Sequence, residues 1–461
     1  MMSSKVGLQA MKRSPEIGRI IAYFFIIVSP MAIFIAINFK TQGPFLVKIA
    51  DGSALLAFAI FTMQFVLSAR LQWIERPFGL DRIFRFHKLM AIVAASLLLV
   101  HPVMVAAGDE EFGWSLLFSF RLPWAVLLGK ATLFTVMVTA IVGLCRRIFK
   151  IEFQKWLLSH NALAILILIA GFVHGSIVGP DLKNHVLRGY MVFFIIFAAL
   201  AYGYQKIVRP FFSWLRAYRI VDVKQESPDT WTLTFAPQPD RRTTPFKPGQ
   251  FHFLRLFRGK GLPREEHPFS ISSSPAKPET LSSTIKNSGD FTALIPQTTI
   301  GDRAVLIGPY GRFSYLLYEN PATIVLIAGG IGIAPLMSML RHMRDTGATN
   351  NVVLIYANKT ERDIVFKSEL DAMLHAQIPP LKMVHVLSRP DESWQGERGH
   401  INETIIQRYC THTLQSAAFY FCGPAGMIES VKKTLIKLHV PRSRIPRPLR
   451  FMATSTPARA A

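Results

Sequence analysis

Residues 87–101 read HKLMAIVAASLLLVH and residues 160–174 read HNALAILILIAGFVH. Each stretch opens and closes on a histidine, the two lying 14 positions apart around an apolar run. On a helix 14 residues turn through about 1400°, roughly 40° short of four full turns, so His87 shares a face with His101 and His160 with His174. The axial separation within each pair is about 21 Å.

Working outward, these stretches fall on the third and fifth of six apolar runs: 20–39, 52–69, 89–108, 131–145, 156–180 and 189–205. The fourth is short and is expected to begin near Trp124, with Lys130 snorkelling. A helix needs roughly 20 residues to cross a bilayer core, so residues 1–215 predict a six-helix transmembrane bundle. A signal peptide is a poor alternative for the first run, because five more follow and no small-residue cleavage site stands out. Basic residues gather in alternate loops: Lys5, Lys12, Arg13 and Arg19 before the first run, then Arg70 to Lys88, then Arg146 to Lys155. The loop 109–121 instead carries Asp109, Glu110 and Glu111. The positive-inside rule then puts both termini in the cytoplasm.

One antiparallel helix separates the third from the fifth, so these two run in the same direction. His87 is then level with His160 near the cytoplasmic face, and His101 with His174 deeper or toward the outside. This arrangement suits two stacked haems, each held by one imidazole from each helix. Arg82, Arg85 and Lys88 stand where the propionates of the inner haem would lie, and serve equally as topology charges. A single membrane histidine could also be a helix–helix hydrogen bond, a proton relay or a substrate group. The doubled spacing favours ligation, and the two pairs are too far apart to share a zinc ion.

Composition excludes other classes. The 461 residues carry 52 Lys plus Arg against 29 Asp plus Glu, a net +23, yet only 18% are charged and 50% are hydrophobic. A disordered or nucleic-acid-coating chain would show more charge and fewer aromatics; membrane lipid, not nucleic acid, is the expected partner. Cys145, Cys410 and Cys422 are too few for a disulfide framework or a four-thiolate iron–sulfur site.

From about residue 218 the pattern changes to short β-rich stretches at 218–223, 230–236, 250–257 and 303–307, punctuated by Pro and Gly. They predict an antiparallel β-barrel over 216–315. A buried strand at 324–328 then runs into Gly329-Gly330-Ile331-Gly332-Ile333-Ala334-Pro335 and a helix to about 343. Strands at 351–356, 382–387 and 418–421 and helices at 366–375, 402–408 and 425–438 complete an α/β nucleotide-binding domain, 316–450, before a tail at 451–461. Glycines in the turn after the first of these strands let backbone approach a phosphate at a helix N-terminus.

In this order the signatures resemble the ferric reductase and NADPH oxidase superfamily in its single-chain bacterial form, from about residue 50 to 450. The resemblance implies that 216–315 binds FAD and 316–450 binds NADPH, with NADH as the alternative. His267-Pro268-Phe269-Ser270-Ile271-Ser272 resembles the flavin motif: Phe269 against the isoalloxazine, the Ser270 hydroxyl near the flavin N5, His267 in place of a phosphate-binding basic residue, with Pro268 and Ser272 completing it. Lys286 with Gly289-Asp290-Phe291-Thr292 resembles the second segment, where Gly289 and Thr292 hold the pyrophosphate. Gly329, Gly330, Gly332 and Pro335 match the nicotinamide nucleotide loop, and Cys422-Gly423-Pro424 the turn beside the nicotinamide, making Ser270 and Cys422 the expected catalytic groups. Ser388-Arg389 resembles the pair that grips a 2′-phosphate, with Lys359 and Arg362 near it. The four histidines match the family's ligands for two b-type haems. Phe451 matches the terminal flavin-shielding aromatic of soluble relatives only loosely. The implied activity is electron transfer from cytoplasmic NADPH to oxygen, a ferric or cupric chelate, or a periplasmic protein, in a multi-pass protein of a bacterial inner membrane. Two alternatives are a haem-containing electron-transfer subunit serving quinol or a partner protein, and a transporter with a regulatory nucleotide domain.

Overall fold

Once water is excluded, a long uncharged run can satisfy its backbone only within a helix, and the N-terminal runs fold accordingly. The structure, a computed structural model, describes residues 3–38, 44–111, 113–146, 148–318 and 321–445, without the side chains of 3–15, 180 and 181. Phe451, the 451–461 tail, Lys40 and Arg147 lie outside the described residues. The chain separates into two units, Met1–Pro210 and Phe211–Ala461.

In the first unit six long helices follow one another: α1 (Ser3–Asn38), α2 (Phe45–Ser68), α3 (Leu80–Gly108), α4 (Trp124–Cys145), α5 (Phe153–Val178) and α6 (His185–Gly203). Each contains, or forms part of, a span long and apolar enough to cross a membrane. The fourth begins at Trp124 as expected. The third reaches back to Leu80, so His87 lies within the helix and the spacing argument holds along its whole length. Helix α2 packs against α1, α3 and α6. Its Ala50, Ala57 and Ala59 are fully buried, because small residues let helix backbones approach where lipid offers no hydrophobic drive. Outward, Phe25, Phe134, Leu158 and Leu200 are exposed, as a lipid-facing surface requires. Between the two histidine levels, Ala95, Val136 and Ile167 form one buried cluster that joins α3, α4 and α5.

In the second unit β1 (Tyr218–Ser227), β2 (Thr230–Ala236), β3 (Phe251–Phe257), β4 (His267–Ser270), β5 (Leu281–Lys286) and β6 (Arg303–Tyr310) make an antiparallel sheet in the order β4-β3-β6-β1-β2-β5. A bridge between Ile271 and Ser283 joins its two ends and closes the barrel. Ile220, Leu233, Phe235, Leu254, Leu256 and Ile295 fill it completely. Strands β4 and β5 were not expected. The first is short and contains Pro268. The second reads LSSTIK, whose buried Ser282, Ser283 and Thr284 hide the apolar alternation.

The remaining strands, β7 (Thr323–Gly329), β8 (Asn351–Asn358), β9 (Leu381–Leu387), β10 (Glu397–Arg398) and β11 (Ala418–Cys422), form a parallel sheet in the order β10-β9-β8-β7-β11. Helices α7 (Ile333–Asp345), α8 (Lys367–Ala376), α9 (Glu403–Cys410) and α10 (Ala425–Lys437) accompany it. Leu336, Leu340 and Leu370 pack on one face and Ile405, Ile406 and Val431 on the other. Burial on both faces explains the unbroken apolar run of β7. Successive strands proceed in one direction from β7, while β11 lies on its other side. The carboxyl ends of β7 and β11 therefore flank a topological switch point, where α/β sheets bind ligands.

Candidate functional site

The histidines come first, because the helices alone position them. His87 on α3 and His160 on α5 face each other with ring centres 6.4 Å apart and planes at 67°. Two imidazole nitrogens each about 2 Å from one metal ion, and about 1.2 Å from their own ring centres, put those centres about 6.4 Å apart. The spacing between His87 and His160 leaves room for one metal ion held by both rings. Trp156 stacks on His160 at 5.2 Å, and His160 Nδ1 is buried without a hydrogen-bond partner among the described residues.

The deeper histidines are oriented by backbone. His101 Nδ1 lies 2.9 Å from the carbonyl of Ala50 on α2, and His174 Nδ1 lies 2.8 Å from the carbonyl of Ala125 on α4. A carbonyl only accepts, so each Nδ1 carries the proton and each Nε2 keeps its lone pair for a metal, the arrangement typical of ligating histidine. Sequence reasoning missed Gly129. A Cβ there would stand 2.5 Å from His174 Cε1, so only glycine lets the ring lie against α4. Among the described residues no three His, Cys, Asp or Glu side chains cluster as a metal site. Two imidazoles with no third protein donor beside them fit a metal whose other donors a macrocycle supplies, as in a haem. Arg85 is engaged by Asp81 at 2.7 Å and Arg82 approaches Glu16 at 3.6 Å, so two of the three expected propionate partners already have carboxylates beside them.

In the barrel the two expected flavin segments meet through stacked rings. His267 lies 4.2 Å from Phe291 at 30°, and Phe269 lies 6.2 Å from the same ring at 23°. Burial lowers the pKa of His267, against the opposing pull of Glu265, whose Oε2 is 3.0 Å from Nε2. Burial thus favours the uncharged imidazole at the position where the resemblance implies a phosphate-binding basic residue. The Ser270 hydroxyl is buried with no partner among the described residues; such a group costs about 1–3 kcal/mol unless something absent satisfies it, which fits a polar flavin edge. Ser272 is fully buried and accepts from Thr284 Oγ1 at 2.9 Å, so its hydroxyl is occupied within the barrel. Lys286 pairs with Asp229 at 3.0 Å. Thr292 Oγ1 accepts from the Ser288 N–H at 2.8 Å and donates to Gly289 O at 2.9 Å, shaping the turn that precedes Asp290.

At the switch point the glycine loop and the Cys422 turn are in direct contact. A Cβ on Gly332 would lie 2.1 Å from Cys422 O, and one on Gly329 would lie 2.9 Å from the Pro424 ring. Gly330 adopts φ +51°, a region glycine enters without cost. Pro335 is buried in the first turn of α7. Burial pushes the Cys422 thiol up to about 12, so it remains protonated and is a weak donor, not a nucleophile. Further along the sheet edge, Ser388 N–H donates to Asn358 O at 3.1 Å and Arg389 N–H to Lys359 O at 2.8 Å. These bonds bring the basic residues Lys359 and Arg389 side by side at the carboxyl ends of β8 and β9.

Comparison with known proteins agrees with this division. A family model for a ferric reductase like transmembrane component matches residues 53–173, one for an FAD-binding domain matches 217–314, and one for an oxidoreductase NAD-binding domain matches 326–433. The chain is 35% identical over 225 residues to the glycine betaine monooxygenase reductase subunit of Chromohalobacter salexigens, covering 47% of this chain and 59% of that protein. It is 30% identical over 220 residues to NADH-cytochrome b5 reductase 1 of Mortierella alpina, covering 47% and 73%. Of the curated relatives it matches first, the chain spans about three fifths of the length. The cytochrome b5 reductase domain of Ulva prolifera nitrate reductase superposes with a TM-score of 0.45 at 20% identity, over 49% of this chain and 94% of that one. With a ferric-reductase-like membrane component followed by FAD-binding and NAD-binding modules, the chain belongs to the ferric reductase and NADPH oxidase superfamily.

Proposed function

We propose that this chain is a transmembrane oxidoreductase that takes electrons from cytoplasmic NADPH, or NADH, and delivers them across a bacterial inner membrane to oxygen, giving superoxide, or to a ferric or cupric chelate. The observation that carries the reading is the facing His87–His160 pair, with room for one metal between the rings, in a chain that continues into a nucleotide-binding reductase module. When bound, FAD supplies the conversion of a hydride into single electrons, and two b-type haems supply one-electron carriers at two depths.

The chain's own residues do the rest. His87 with His160, and His101 with His174, hold the two metals, and the Ala50 and Ala125 carbonyls keep the deeper imidazoles in their ligating tautomer. The Ala95, Val136 and Ile167 cluster keeps water from the space between the levels. In the barrel Phe269 would pack on the flavin ring and the Ser270 hydroxyl, buried and unpartnered among the described residues, would hydrogen-bond to it. The Gly329–Gly332 backbone and the N-terminus of α7 receive the dinucleotide phosphates, and Cys422 borders the nicotinamide as a neutral thiol. Lys359 and Arg389 favour a 2′-phosphate, and so NADPH over NADH. With His87, His160, His101 and His174 as its holders, each metal would have no position left for the acceptor, which would be reduced without binding it.

The test uses sealed proteoliposomes with NADPH on one face and oxygen or ferric chelates on the other, superoxide and ferrous iron being assayed separately. The expected result is a low-spin b-type spectrum that reduces on addition of NADPH, with product on the far side. A featureless visible spectrum refutes the reading.

A further inference from the structure

Helix α7 begins at the glycine loop, and the segment 267–273 contains the flavin motif. Nothing in the sequence motifs says what fixes the distance between them. The structure assigns that task to a clamp on the second and third turns of α7. Ser338 Oγ, fully buried, donates to Ser273 O at 2.7 Å, and Arg341 Nη1 donates to Ser272 O at 2.8 Å. Two adjacent carbonyls, on the last residue of the flavin motif and the residue after it, are thus held by side chains of the helix that starts at the nucleotide loop.

The guanidinium is held in turn. Glu369 takes Arg341 in a two-point grip, 3.0 Å at Nε and 2.6 Å at Nη2, and also accepts from Arg344 Nη1 at 2.9 Å. Although burial opposes it, the two arginines hold the Glu369 carboxyl below its ordinary value, so the acceptor stays ionised. Beneath the guanidinium lies the Phe366 ring, 4.7 Å from Cζ. Phe366 is buried at φ 63°, in the left-handed region. A bulky side chain rarely adopts that conformation and keeps it only where its surroundings impose it. A second close approach lies on the same helix, where a Cβ on Gly249 would meet Met339 Cε at 2.5 Å.

We infer that Arg341, locked by Glu369 and Phe366, is with Ser338 a positioning pair for hydride transfer: it sets the separation of nicotinamide and flavin without touching either. This rests on the function proposed above. The atoms it governs are two backbone carbonyls, so its loss should misplace the flavin segment and leave both binding sites formed. Effective reaction geometry is steep in distance, whereas ground-state affinity is not.

The experiment uses the full purified chain. Flavin bleaching by NADPH is followed by stopped flow, alongside FAD per chain, NADP+ affinity by titration, and amide exchange of residues 267–273. In Arg341→Ala the limiting bleaching rate should fall about tenfold or more, and in Ser338→Ala about threefold, with FAD content and NADP+ affinity within about twofold. Exchange of 267–273 should quicken in both. Added guanidinium ion should restore part of the Arg341→Ala rate, and Arg341→Lys should stay slow, since one ammonium cannot serve carboxylate and carbonyl in the same plane. An unchanged limiting rate in both variants, or a loss confined to the NADPH concentration for half-maximal rate, overturns the clamp. If Arg341→Ala does not fold, Ser338→Ala and Glu369→Gln decide by the same criteria. A wild-type flavin that neither NADPH nor NADH bleaches refutes the proposed function and the hydride-positioning role with it; a bleaching wild type with unaltered variants refutes the clamp alone.

Discussion

Replacing Gly129 by alanine tests the deeper imidazole pair with a single added carbon. At this position a Cβ would stand 2.5 Å from His174 Cε1, 2.6 Å from Nδ1 and 2.8 Å from Nε2. The ring must retreat by roughly 1 Å to regain ordinary van der Waals contact. The Nδ1 bond to Ala125 O, now 2.8 Å, then passes beyond the range of about 3.2 Å in which N–H···O bonds keep their strength. That loss costs about 1 kcal/mol, which the fold can bear. The larger consequence is at Nε2, displaced by about half the length of a metal–imidazole bond of roughly 2 Å. Loosening the group that orients a ligating histidine lowers metal affinity about 10- to 100-fold.

Helix propensity works the other way, since alanine is favoured over glycine in a helix by about 0.5–1 kcal/mol, so a defect cannot be charged to a broken α4. The assay is haem per chain after purification, with reduced-minus-oxidised spectra. Gly129→Ala should retain the haem at His87 and His160 and lose most of the other, halving the content, while NADPH still bleaches the flavin. Gly143→Ala is the control on the same helix, because its Cβ meets nothing nearer than Trp156 at 4.0 Å. Two haems per chain with an unaltered spectrum in Gly129→Ala would refute the assignment of His174.

Arg389→Ala should raise the KM for NADPH about tenfold and leave NADH unchanged, the worth of one charge-assisted contact to a phosphate; equal effects on both nucleotides in steady-state kinetics would exclude a 2′-phosphate role. Gly332→Ala, with its Cβ 2.1 Å from Cys422 O, should separate the loop from the turn, lowering stability in denaturant titration by about 1–3 kcal/mol and abolishing NADP+ binding. His252 is buried, bonded through Nε2 to Ser283 Oγ at 2.9 Å, and desolvation lowers its pKa to about 3. The unfolded chain takes up this proton below about pH 6.5 and the native barrel does not, so stability present above that pH should decline toward pH 3 by about 1.4 kcal/mol per unit; His252→Gln should flatten that limb in pH-dependent unfolding.

The contrast between what could and could not be read beforehand has a physical origin. The His87/His101 and His160/His174 spacings were legible because the period of one helix converts sequence separation into direction and depth, and the structure brings the shallower pair face to face. The start of α4 and the positions of β7, β8, β9 and β11 along the chain were legible for a similar reason: each is encoded by a run of side chains within one element. Strand β5 was not, because its Ser282, Ser283 and Thr284 are polar in sequence yet buried, their hydroxyls satisfied by Thr234, His252, Thr232 and Ser272 from elsewhere in the barrel.

The same limit governs the site. The groups that orient His101 and His174 are backbone carbonyls on other helices, and a carbonyl leaves no residue-type signature. Ala50 and Ala125 are ordinary alanines until the bundle is assembled. Gly129 reads as one more membrane glycine, and its purpose appears only when a ring from α5 lies against it. Arg341 looks like a solvated helix charge until Glu369, Phe366 and a carbonyl of the flavin segment close around it. Motifs thus point to the residues proposed to touch cofactors, whereas the contacts that position those segments are pairings across elements. Substitutions at Gly129, Ser338 and Arg341 should therefore alter electron-transfer rates while leaving every recognisable motif intact, and Phe269→Ala should do the reverse, weakening flavin retention without disturbing the imidazole ladder.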